Sequence, residues 1–368
     1  MAAKLESRPY QTRIVTKAMD AFTKENARSA LIHSPTGSGK TVIAFMLLDE
    51  LRQSGLFPKR KKVTIGWAAM RRNLLTQAAE ELERWGYDFE IVFLSMFDKN
   101  PPKVDVLVVD EAQHDATMSM GHLHGQCSPT SVIGLSATPW RADRVGLCFD
   151  KIIRDAGIAD LIRQGYLSEY HHYTMPEYTP DTVAQTYLSD PKKWGKSVVF
   201  FHKESDCLEV VAKLKAGGIA TDLVTCNTDR DTQLELFAKG KTKVLVNMMI
   251  LTEGFDSPSL KTVFVRPSVK SCTMQMGGRV FRIHDGCPHK QIVQCARTET
   301  PFVKIAPAKQ QFIQVNGEWV NLQPSSEVEK IIAANRALIA KTETTYNPAL
   351  FKKRKRAEMA FKDEGDDE

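Results

Sequence analysis

A glycine-rich segment at residues 34–41, Ser-Pro-Thr-Gly-Ser-Gly-Lys-Thr, constrains the fold of this chain more than any other feature of its sequence. It stands between a short apolar run at residues 29–33 and a helical pattern that begins at Lys40. Glycines in such a strand–loop–helix frame let backbone N–H groups wrap a phosphate at the positive end of a helix. The generic pattern has glycine at the first position, where this chain has Ser34, and the rest matches. We therefore predict a phosphate-binding loop at the edge of a sheet.

The side chains of this loop have distinct predicted roles. Lys40 is expected to hold the β- and γ-phosphates of ATP, and Thr41 to bind Mg²⁺. The strand and helix on either side make a chance glycine-rich turn the weaker interpretation. The other positions expected to line the nucleotide site are Pro35, Thr36, Gly37, Ser38 and Gly39.

An acidic pair, Asp110 and Glu111, follows the apolar run at residues 104–109. A strand that ends in a carboxylate places it at the rim of the sheet, beside the phosphate-binding loop. We expect Asp110 to hold Mg²⁺ through water, and Glu111 to orient and activate the attacking water. A solvated acidic loop is the alternative, and it is disfavoured because both halves of the site occur in a sensible order.

Short apolar runs alternate with helical patterns in two successive sets. Several runs are apolar at consecutive positions, which is typical of strands covered on both faces of a parallel sheet. A less regular, proline-containing stretch at 173–196 separates the sets. We therefore predict an α/β fold with two tandem domains, 1–170 and 171–305. The predicted strands are 29–33, 62–69, 89–94, 104–110 and 131–136 in the first set, and 197–201, 219–224, 244–247, 262–265 and 291–296 in the second.

Composition narrows the class of protein without identifying a partner. Lys and Arg number 50 against 44 acids, a net charge of +6 that an ordinary slightly basic enzyme also carries. The 7 cysteines include no CxxC pair, so we expect free thiols in a reducing compartment. A zinc site at Cys272, Cys287, His289 and Cys295 is disfavoured because the spacings fit no common template. With neither a signal peptide nor a run of about 18 apolar residues, we expect a soluble intracellular protein without a membrane partner.

Three further segments follow the acidic pair along the chain: Ser-Ala-Thr-Pro at 136–139, Leu-Thr-Glu-Gly-Phe-Asp at 251–256 and Gln-Met-Gly-Gly-Arg-Val-Phe-Arg at 275–282. They resemble motifs III, V and VI of the superfamily 2 helicases. Arg-Pro-Tyr-Gln at 8–11 is similar to the adenine-reading segment that opens many of these helicases. The likeness is strongest to compact helicases of the type III restriction-subunit kind, including bacterial RadD-like proteins and phage recombination helicases.

The resemblance implies two RecA-like domains with parallel sheets, and ATP and Mg²⁺ in the cleft between them. Gln11 is expected to read the adenine edge with both amide groups, and Arg8 to pack beside it. Gly254 and Asp256 are expected to close on the nucleotide from the second domain.

The last motif completes the predicted catalytic set. Gln275, Arg279 and Arg282 are expected to reach the γ-phosphate and to stabilise charge in the transition state. On a helix over about 271–281, their spacings of four and three residues place them on one face. Gln113 departs from the pattern of families that often carry His or Asp there, which leaves open how tightly hydrolysis couples to nucleic acid. The predicted catalytic residues are Lys40, Glu111, Gln275, Arg279 and Arg282.

Strand-to-helix turns on the same sheet edge are expected to line a track for nucleic acid. Residues 70–73 resemble motif Ia, and Arg71 and Arg72 are candidates to touch phosphates, with solvated arginines as the alternative. Ser95 and Thr252 are candidate donors to backbone oxygens. Such contacts predict binding that is largely independent of sequence and sensitive to salt. Trp140 and Arg141 are either a stacking pair or part of the core, and we favour the core.

The C-terminal part differs from the rest. Residues 310–322 are predicted to form a β-hairpin that turns at Asn316-Gly317, and 325–340 an amphipathic helix. We therefore predict a hairpin–helix extension at 306–345, which could dock a protein partner. A charged tail at 346–368 is predicted to be disordered. Its basic run at 352–356 is either solvated, an extension of the track, or a nuclear address.

The leading hypothesis is an ATP-dependent DNA helicase or translocase for repair, recombination or replication. The preference for DNA over RNA rests on the resemblance alone. An RNA helicase is one alternative, and a motor subunit or ATP-gated clamp that remodels a partner complex without strand separation is another. The expected location is the cytoplasm, at a nucleoid or in a host cell, or the nucleus in a eukaryote.

Overall fold

A computed structural model of the chain describes residues 7–57, 63–114, 118–139, 147–252 and 254–322, without the side chains of His114 and Met118. These residues belong to a compact unit, Met1–Asn321, apart from Leu322, which begins a second unit, Leu322–Glu368. Several predictions lie outside the described residues. These are Trp140 with Arg141, the helix at 325–340, and the tail at 346–368 with its basic run.

Six strands form the sheet of the first domain: β1 (Ser29–His33), β2 (Ile65–Ala69), β3 (Ile91–Ser95), β4 (Val106–Asp110), β5 (Ser131–Ser136) and β6 (Lys151–Ile153). They are all parallel, in the order β3-β2-β4-β5-β1-β6. The helices are α1 (Pro9–Thr23), α2 (Lys40–Gln53), α3 (Arg72–Trp85), α4 (Met118–Cys127) and α5 (Ile158–Arg163).

The second domain carries an eight-stranded sheet in the order β14-β13-β7-β12-β11-β8-β10-β9, parallel except for its terminal β13–β14 pair. Its strands are β7 (Tyr170–Met175), β8 (Ser197–Phe200), β9 (Thr221–Val224), β10 (Val244–Asn247), β11 (Thr262–Phe264), β12 (Lys290–Cys295), β13 (Gln310–Val315) and β14 (Glu318–Asn321). Its helices are α6 (Pro180–Ser189), α7 (Pro191–Trp194), α8 (Glu204–Ala216), α9 (Arg230–Ala238) and α10 (Lys270–Gly278).

Strand β4 illustrates why consecutive apolar residues form an interior strand here. Val106 and Val108 belong to one core cluster, and Leu107 and Val109 to another on the opposite face of the sheet. All four are buried because successive side chains of a strand point to opposite faces, and both faces are covered. The strand therefore ends with Asp110 at the sheet edge, where its carboxylate faces the loops after the other strands.

The hairpin turns at Asn316 and Gly317, which have φ values of 52° and 87° as a type I′ turn requires, so the predicted hairpin is confirmed. It is joined to the second domain, because β13 pairs in parallel with β7. Phe312 stacks on Tyr173 with ring centroids 4.7 Å apart, and Trp319 packs against the same tyrosine at 5.1 Å. The hairpin that we assigned to an extension is thus the edge of the second sheet.

The predicted α/β class with parallel sheets is confirmed, and the predicted strands at 29–33, 131–136 and 244–247 have the observed bounds. Two strands, β6 and β7, were not predicted. The stretch at 173–196 was expected to be irregular, but it holds the end of β7 and helices α6 and α7. Within the described ranges, no helix is long and apolar enough to cross a membrane.

Replacing Gly134 by alanine tests the packing of the first sheet. A Cβ at this position in β5 would stand 2.4 Å from a ring carbon of Phe149 and 2.9 Å from a methyl carbon of Leu31. Because such overpacking costs about 1–3 kcal/mol, we expect Gly134→Ala to lower the melting temperature by several degrees in calorimetry.

Gly121→Ala is the matched control for this variant. Gly121 lies inside α4, and a Cβ there would meet no atom within 4 Å. The higher helix propensity of alanine should therefore keep or raise the melting temperature. Equal melting temperatures for the two variants would contradict the close packing around Gly134.

Candidate nucleotide-binding site

The phosphate-binding loop runs from the end of β1 to the start of α2, as predicted. Gly37 and Gly39 have φ values of 82° and 79°, in the left-handed region that side chains other than glycine rarely adopt. A Cβ on Gly39 would also stand 2.7 Å from Nε2 of Gln11. Both glycines are therefore required by the backbone path that curls the loop over the helix N-terminus.

Two serines hold the loop from inside. The Ser34 hydroxyl donates to Oγ of Ser38 at 2.7 Å, and the Ser38 hydroxyl donates to the carbonyl of Pro35 at 2.7 Å. Both side chains are buried. Serine at the first position, where the generic loop has glycine, thus has a structural role, and the Ser38 hydroxyl points into the loop.

Helix α1 supports the same loop from outside. Tyr10 Oη and Gln11 Nε2 both donate to the carbonyl of Ser38, the second at 3.1 Å. Gln11 Oε1 accepts from the backbone N–H of Arg8 at 2.9 Å, and the Arg8 guanidinium lies over the ring of Tyr166. The amide of Gln11 therefore uses one donor and one acceptor position within the protein. This arrangement does not match our expectation that both amide groups face an adenine.

The acidic motif is linked by hydrogen bonds to the Ser-Ala-Thr segment after β5. Gln113 Nε2 donates to a carboxylate oxygen of Glu111 at 3.0 Å, and Gln113 Oε1 accepts from the Ser136 hydroxyl at 2.6 Å. Glu111 itself has a φ of 51°, in the left-handed region that non-glycine residues adopt rarely. Gln113, the position that departs from the family pattern, is thus the bridge between these motifs.

The second domain contributes two arginines. Arg282 forms a two-pronged ion pair with Asp256, with Nε–Oδ1 and Nη2–Oδ2 distances of 3.0 Å. Arg279 donates to the carbonyls of Phe255 and Thr252, and so fixes the loop that carries Asp256. Helix α10 ends at Gly278, so the prediction that Gln275, Arg279 and Arg282 share one helix face was wrong.

Lys40, Arg279 and Arg282 line one cavity of about 110 Å³, which lies between the two domains. Burial lowers the pKa of Lys40, the carboxylates of Glu111 and Asp110 oppose this shift, and the nearby arginines add to it. Gln275 is absent from the described lining. The lining residues are Thr36, Gly37, Gly39, Lys40, Thr41, Leu74, Gln77, Asp110, Glu111, Gly254, Phe255, Asp256, Gly278, Arg279 and Arg282.

This cavity has the donor set that a metal-bound polyphosphate needs. Lys40 and the arginines supply positive charge, and the glycine loop supplies backbone N–H groups at a helix N-terminus. The Thr41 hydroxyl and the Asp110 carboxylate are oxygen ligands of the kind that Mg²⁺ prefers. The residues therefore fit ATP with Mg²⁺.

A second cavity of about 450 Å³ shares Gly37, Gly39, Thr41, Gln77, Asp256 and Arg282 with the first. Arg8 and Gln11 line one side of this second cavity, and residues of α3 line the other. The α3 residues were not predicted, although their spacing of three or four residues marks one helix face. They are Gln77, Glu80, Glu81, Arg84 and Trp85.

Asn73 links the domains at the rim of the cavity. Its Nδ2 donates to the carbonyl of Gly254 at 2.7 Å, and Arg230 of the second domain donates to the same carbonyl at 3.3 Å. Gly254 has a φ of 60°, and a Cβ on it would stand 2.5 Å from Asn73 Nδ2. Only glycine fits this contact without displacing Asn73.

The predicted nucleic-acid residues fall into two groups. Arg71 and Arg72 stand at the start of α3, with Arg72 exposed, and Ser95 ends β3 at the same sheet edge. Thr252 is 4% exposed, and its hydroxyl donates to the carbonyl of Met249 at 2.6 Å. Thr252 is therefore held inside its own loop, and we leave it out of the proposed track.

The four zinc candidates, Cys272, Cys287, His289 and Cys295, lie in the second domain, within the part of the chain that the structure describes. There, no three His, Cys, Asp or Glu side chains are grouped so as to hold a metal ion. Cys295 is buried in β12, whereas Cys272 and Cys287 are only partly buried, and all three are free thiols.

Comparisons with known proteins agree on one class. The family model "Type III restriction enzyme, res subunit" matches residues 4–96, and "Helicase conserved C-terminal domain" matches residues 179–284. "Putative ATP-dependent helicase IRC3" of Saccharomyces cerevisiae is 25% identical over 91% of this chain and 57% of its own length. The mitochondrial irc3 relative of Schizosaccharomyces pombe is 26% identical over 77% of this chain and 56% of its own length. The chain thus spans less than two thirds of these relatives.

Solved structures share the fold. "The fragment structure of a putative HsdR subunit of a type I restriction enzyme from Vibrio vulnificus YJ016" has a TM-score of 0.63 at 19% identity, covering 85% of this chain and 70% of that one. The type ISP restriction-modification enzyme LlaBIII bound to DNA has a TM-score of 0.57 at 16% identity, covering 85% and 28%. S. cerevisiae Dbp5 bound to RNA and ADP BeF3 also has a TM-score of 0.57 at 16% identity, covering 88% and 93%.

Two RecA-like domains whose loop lysine and arginines line one cavity are the arrangement found in two-domain nucleoside-triphosphate hydrolases. Within that class, the two family matches and the helicase relatives support a superfamily 2 helicase of the type III restriction-like kind. Helicases of this superfamily are ATP-hydrolysing enzymes.

Replacing Gly254 by alanine tests the link between Asn73 and the cavity. Alanine at a φ of 60° costs about 1–2 kcal/mol in backbone strain, and its Cβ would push Asn73 away. We expect Gly254→Ala to lower kcat for ATP hydrolysis by at least about tenfold, because positioning errors of about 1 Å cost 10²-fold. A coupled assay of ADP release measures this.

Gly218→Ala is the control that separates the effect of backbone strain from the effect of displacing Asn73. Gly218 has a φ of 77°, and a Cβ on it would meet nothing within 4 Å. Both variants should lose stability in thermal melting, Gly254→Ala by at least as much as Gly218→Ala, while only Gly254→Ala loses activity. Wild-type kcat in Gly254→Ala would show that hydrolysis does not need this contact.

Proposed function

We propose that the chain is an ATP-driven DNA helicase or translocase that moves along or remodels DNA in repair, recombination or replication. The observation that carries this proposal is the single cavity shared by Lys40 of the first domain and by Arg279 and Arg282 of the second. A nucleotide gripped from both sides favours a closed arrangement of the domains, and hydrolysis releases it. This alternation is the physical basis of a motor.

The charged residues of the cavity, together with Thr41, have proposed tasks in hydrolysis. ATP, when bound with Mg²⁺, supplies the phosphoanhydride bond that is broken. Lys40 would neutralise the phosphates, while Thr41 and Asp110 would hold the metal ion. Glu111 orients the attacking water and accepts its proton, in an orientation fixed by Gln113.

The arginines act where negative charge develops. Arg282 lies on the cavity wall but is paired with Asp256, a pair that is 42% exposed on both sides. An exposed ion pair is worth little in stability, so Arg282 is free to exchange the carboxylate for a phosphate oxygen. Arg279 holds the backbone carbonyls of Thr252 and Phe255 and contributes its charge from there. Gln275, outside the described lining, has no proposed role in this arrangement.

Nucleic acid is the proposed track, and DNA the favoured one. The similar restriction-enzyme structures include LlaBIII bound to DNA, and the matching family model is that of a restriction-enzyme subunit. An RNA helicase is the second candidate function, because the structurally similar Dbp5 is bound to RNA. A clamp that remodels a protein partner without strand separation is the third. We propose that the protein is located where the DNA lies, in the cytoplasm or at the nucleoid.

An ATPase assay with four ligands tests the proposal. Single-stranded DNA, duplex DNA and forked DNA should raise the rate of ATP hydrolysis, and RNA should not. Lys40→Ala should abolish turnover, because its ammonium neutralises the phosphates, and Arg282→Ala should lower kcat by about 10²–10³-fold while nucleotide binding persists. Stimulation by RNA alone would select the RNA helicase. Stimulation by no nucleic acid would overturn the motor.

The double substitution Arg71→Ala/Arg72→Ala tests the track. If both arginines touch phosphates, affinity for single-stranded DNA should fall, and the slope of log Kd against log salt should shrink by about 1.4, or 0.7 for each lost contact. Fluorescence anisotropy at several salt concentrations measures both. Arg163→Ala/Lys192→Ala, at exposed positions elsewhere, is the charge-matched control. An unchanged slope would remove Arg71 and Arg72 from the track.

A further inference from the structure

Phe97 is an exposed aromatic side chain with no role in the nucleotide site. It is 60% exposed, more than any other large apolar side chain in the described part of the chain. It lies outside the described linings of both nucleotide cavities. A single exposed apolar residue is ordinary on a protein surface, so its meaning depends on how it is held and what surrounds it.

Hydrogen bonds fix the backbone of the turn that carries Phe97, both before and after this residue. The Asp98 carboxylate accepts from the backbone N–H of Ser95 at 2.9 Å, and the Asp98 N–H donates to the Ser95 carbonyl at 2.9 Å. Phe97 N–H donates to the Ser95 hydroxyl at 3.3 Å, and buried Met96 donates to the carbonyl of Ala69 at 3.1 Å. The backbone is therefore ordered while the ring points outward, which lowers the entropic cost of binding through it.

Apart from Asp98 within the turn, the charged residues that flank this turn and its neighbour are cationic. Strands β2 and β3 are parallel neighbours with Ala69 opposite Ser95, so the turns after them lie side by side, about 4.8 Å apart. Arg71 and Arg72 follow the first turn, and exposed Lys99 follows the second. Protein–protein interfaces are depleted of lysine but enriched in arginine, so these cations do not by themselves exclude a protein partner. A ring beside several cations suits a ligand that has flat apolar faces and a negative backbone.

The same edge also faces the second domain. Asn73, two residues after Arg71, donates to the carbonyl of Gly254 across the cleft. The phosphate candidates and Phe97 thus lie along one rim that continues toward the second domain. A strand of nucleic acid that follows this rim would pass both.

We propose that Phe97 stacks on one base of a bound single strand, beside phosphate contacts from the neighbouring cations. This proposal rests on the proposed function, and it adds a base contact to a track that we expected to hold mostly the backbone. Every base has a flat face, so the contact tolerates any sequence. Its ligand is a single-stranded nucleic acid with unpaired, accessible bases.

Binding of a fluorescent single-stranded DNA, followed by anisotropy, tests the stacking contact. Phe97→Ala should raise Kd by about 5- to 150-fold, the range measured for base–aromatic stacks. Phe97→Trp should restore binding, since indole offers a larger ring. Leu208→Ala, 53% exposed on α8 of the second domain, should bind like the wild type. Thermal melting of each variant verifies that it folds.

A strand of abasic sugar-phosphates with the same length separates stacking from charge. The wild type should prefer the base-bearing strand, and Phe97→Ala should shrink that preference by the same 5- to 150-fold factor. The salt slope should stay the same in Phe97→Ala, because no phosphate contact is lost. An equal preference in wild type and Phe97→Ala would overturn the stacking proposal while leaving the motor intact. Failure of the wild type to bind any strand would overturn both.

Discussion

The convergence of three cations on one cavity is the constraint on which the rest of the structure depends. Lys40, Arg279 and Arg282 are partly withdrawn from water, where like charges repel and an unpaired charge is costly. Protein groups face each of these cations: Asp110 and Glu111 lie near Lys40, Asp256 pairs with Arg282, and Arg279 donates to two backbone carbonyls. The oxygens of a polyphosphate could take the place of the carboxylates, so that the cations keep negatively charged partners when nucleotide binds.

Short hydrogen-bonded paths lead from that cavity to the sheet edge. One runs from Glu111 through Gln113 to Ser136, and the other from Gly254 to Asn73, next to Arg72 on the proposed track. Hydrogen bonds weaken steeply with distance and angle, so small movements of the second domain make or break the Asn73 contact. Gln113 serves as a bridge because an amide donates and accepts at once, which a carboxylate at that position does not do at neutral pH. The departure from the family pattern therefore preserves the connection.

The nucleotide loop and the interior strands were predictable because each has a local physical cause. Gly37 and Gly39 stand where the backbone needs positive φ, and consecutive apolar residues mark strands covered on both faces. β7 was missed because its Tyr-His-His-Tyr-Thr-Met composition hides an interior strand whose polar groups are bonded, as for His172 with Gln294. The end of α10 was missed because the helix spacing was extended beyond Gly278, where the helix ends. The Ser34–Ser38 bond was not predictable, since side-chain geometry alone creates it.

A track of cations and one exposed ring suits a motor that must release and regain its ligand repeatedly. Phosphates recur at every nucleotide, so an arginine at the sheet edge finds an equivalent partner after each step. A ring that stacks on any base likewise finds an equivalent face. Base-edge hydrogen bonds would instead hold particular sequences and slow the advance, because leaving them exposes unpaired polar groups. The surface beside β2 and β3, with Arg71, Arg72 and Phe97 on adjacent turns, therefore combines contacts that are strong enough to hold a strand and uniform enough to move along it.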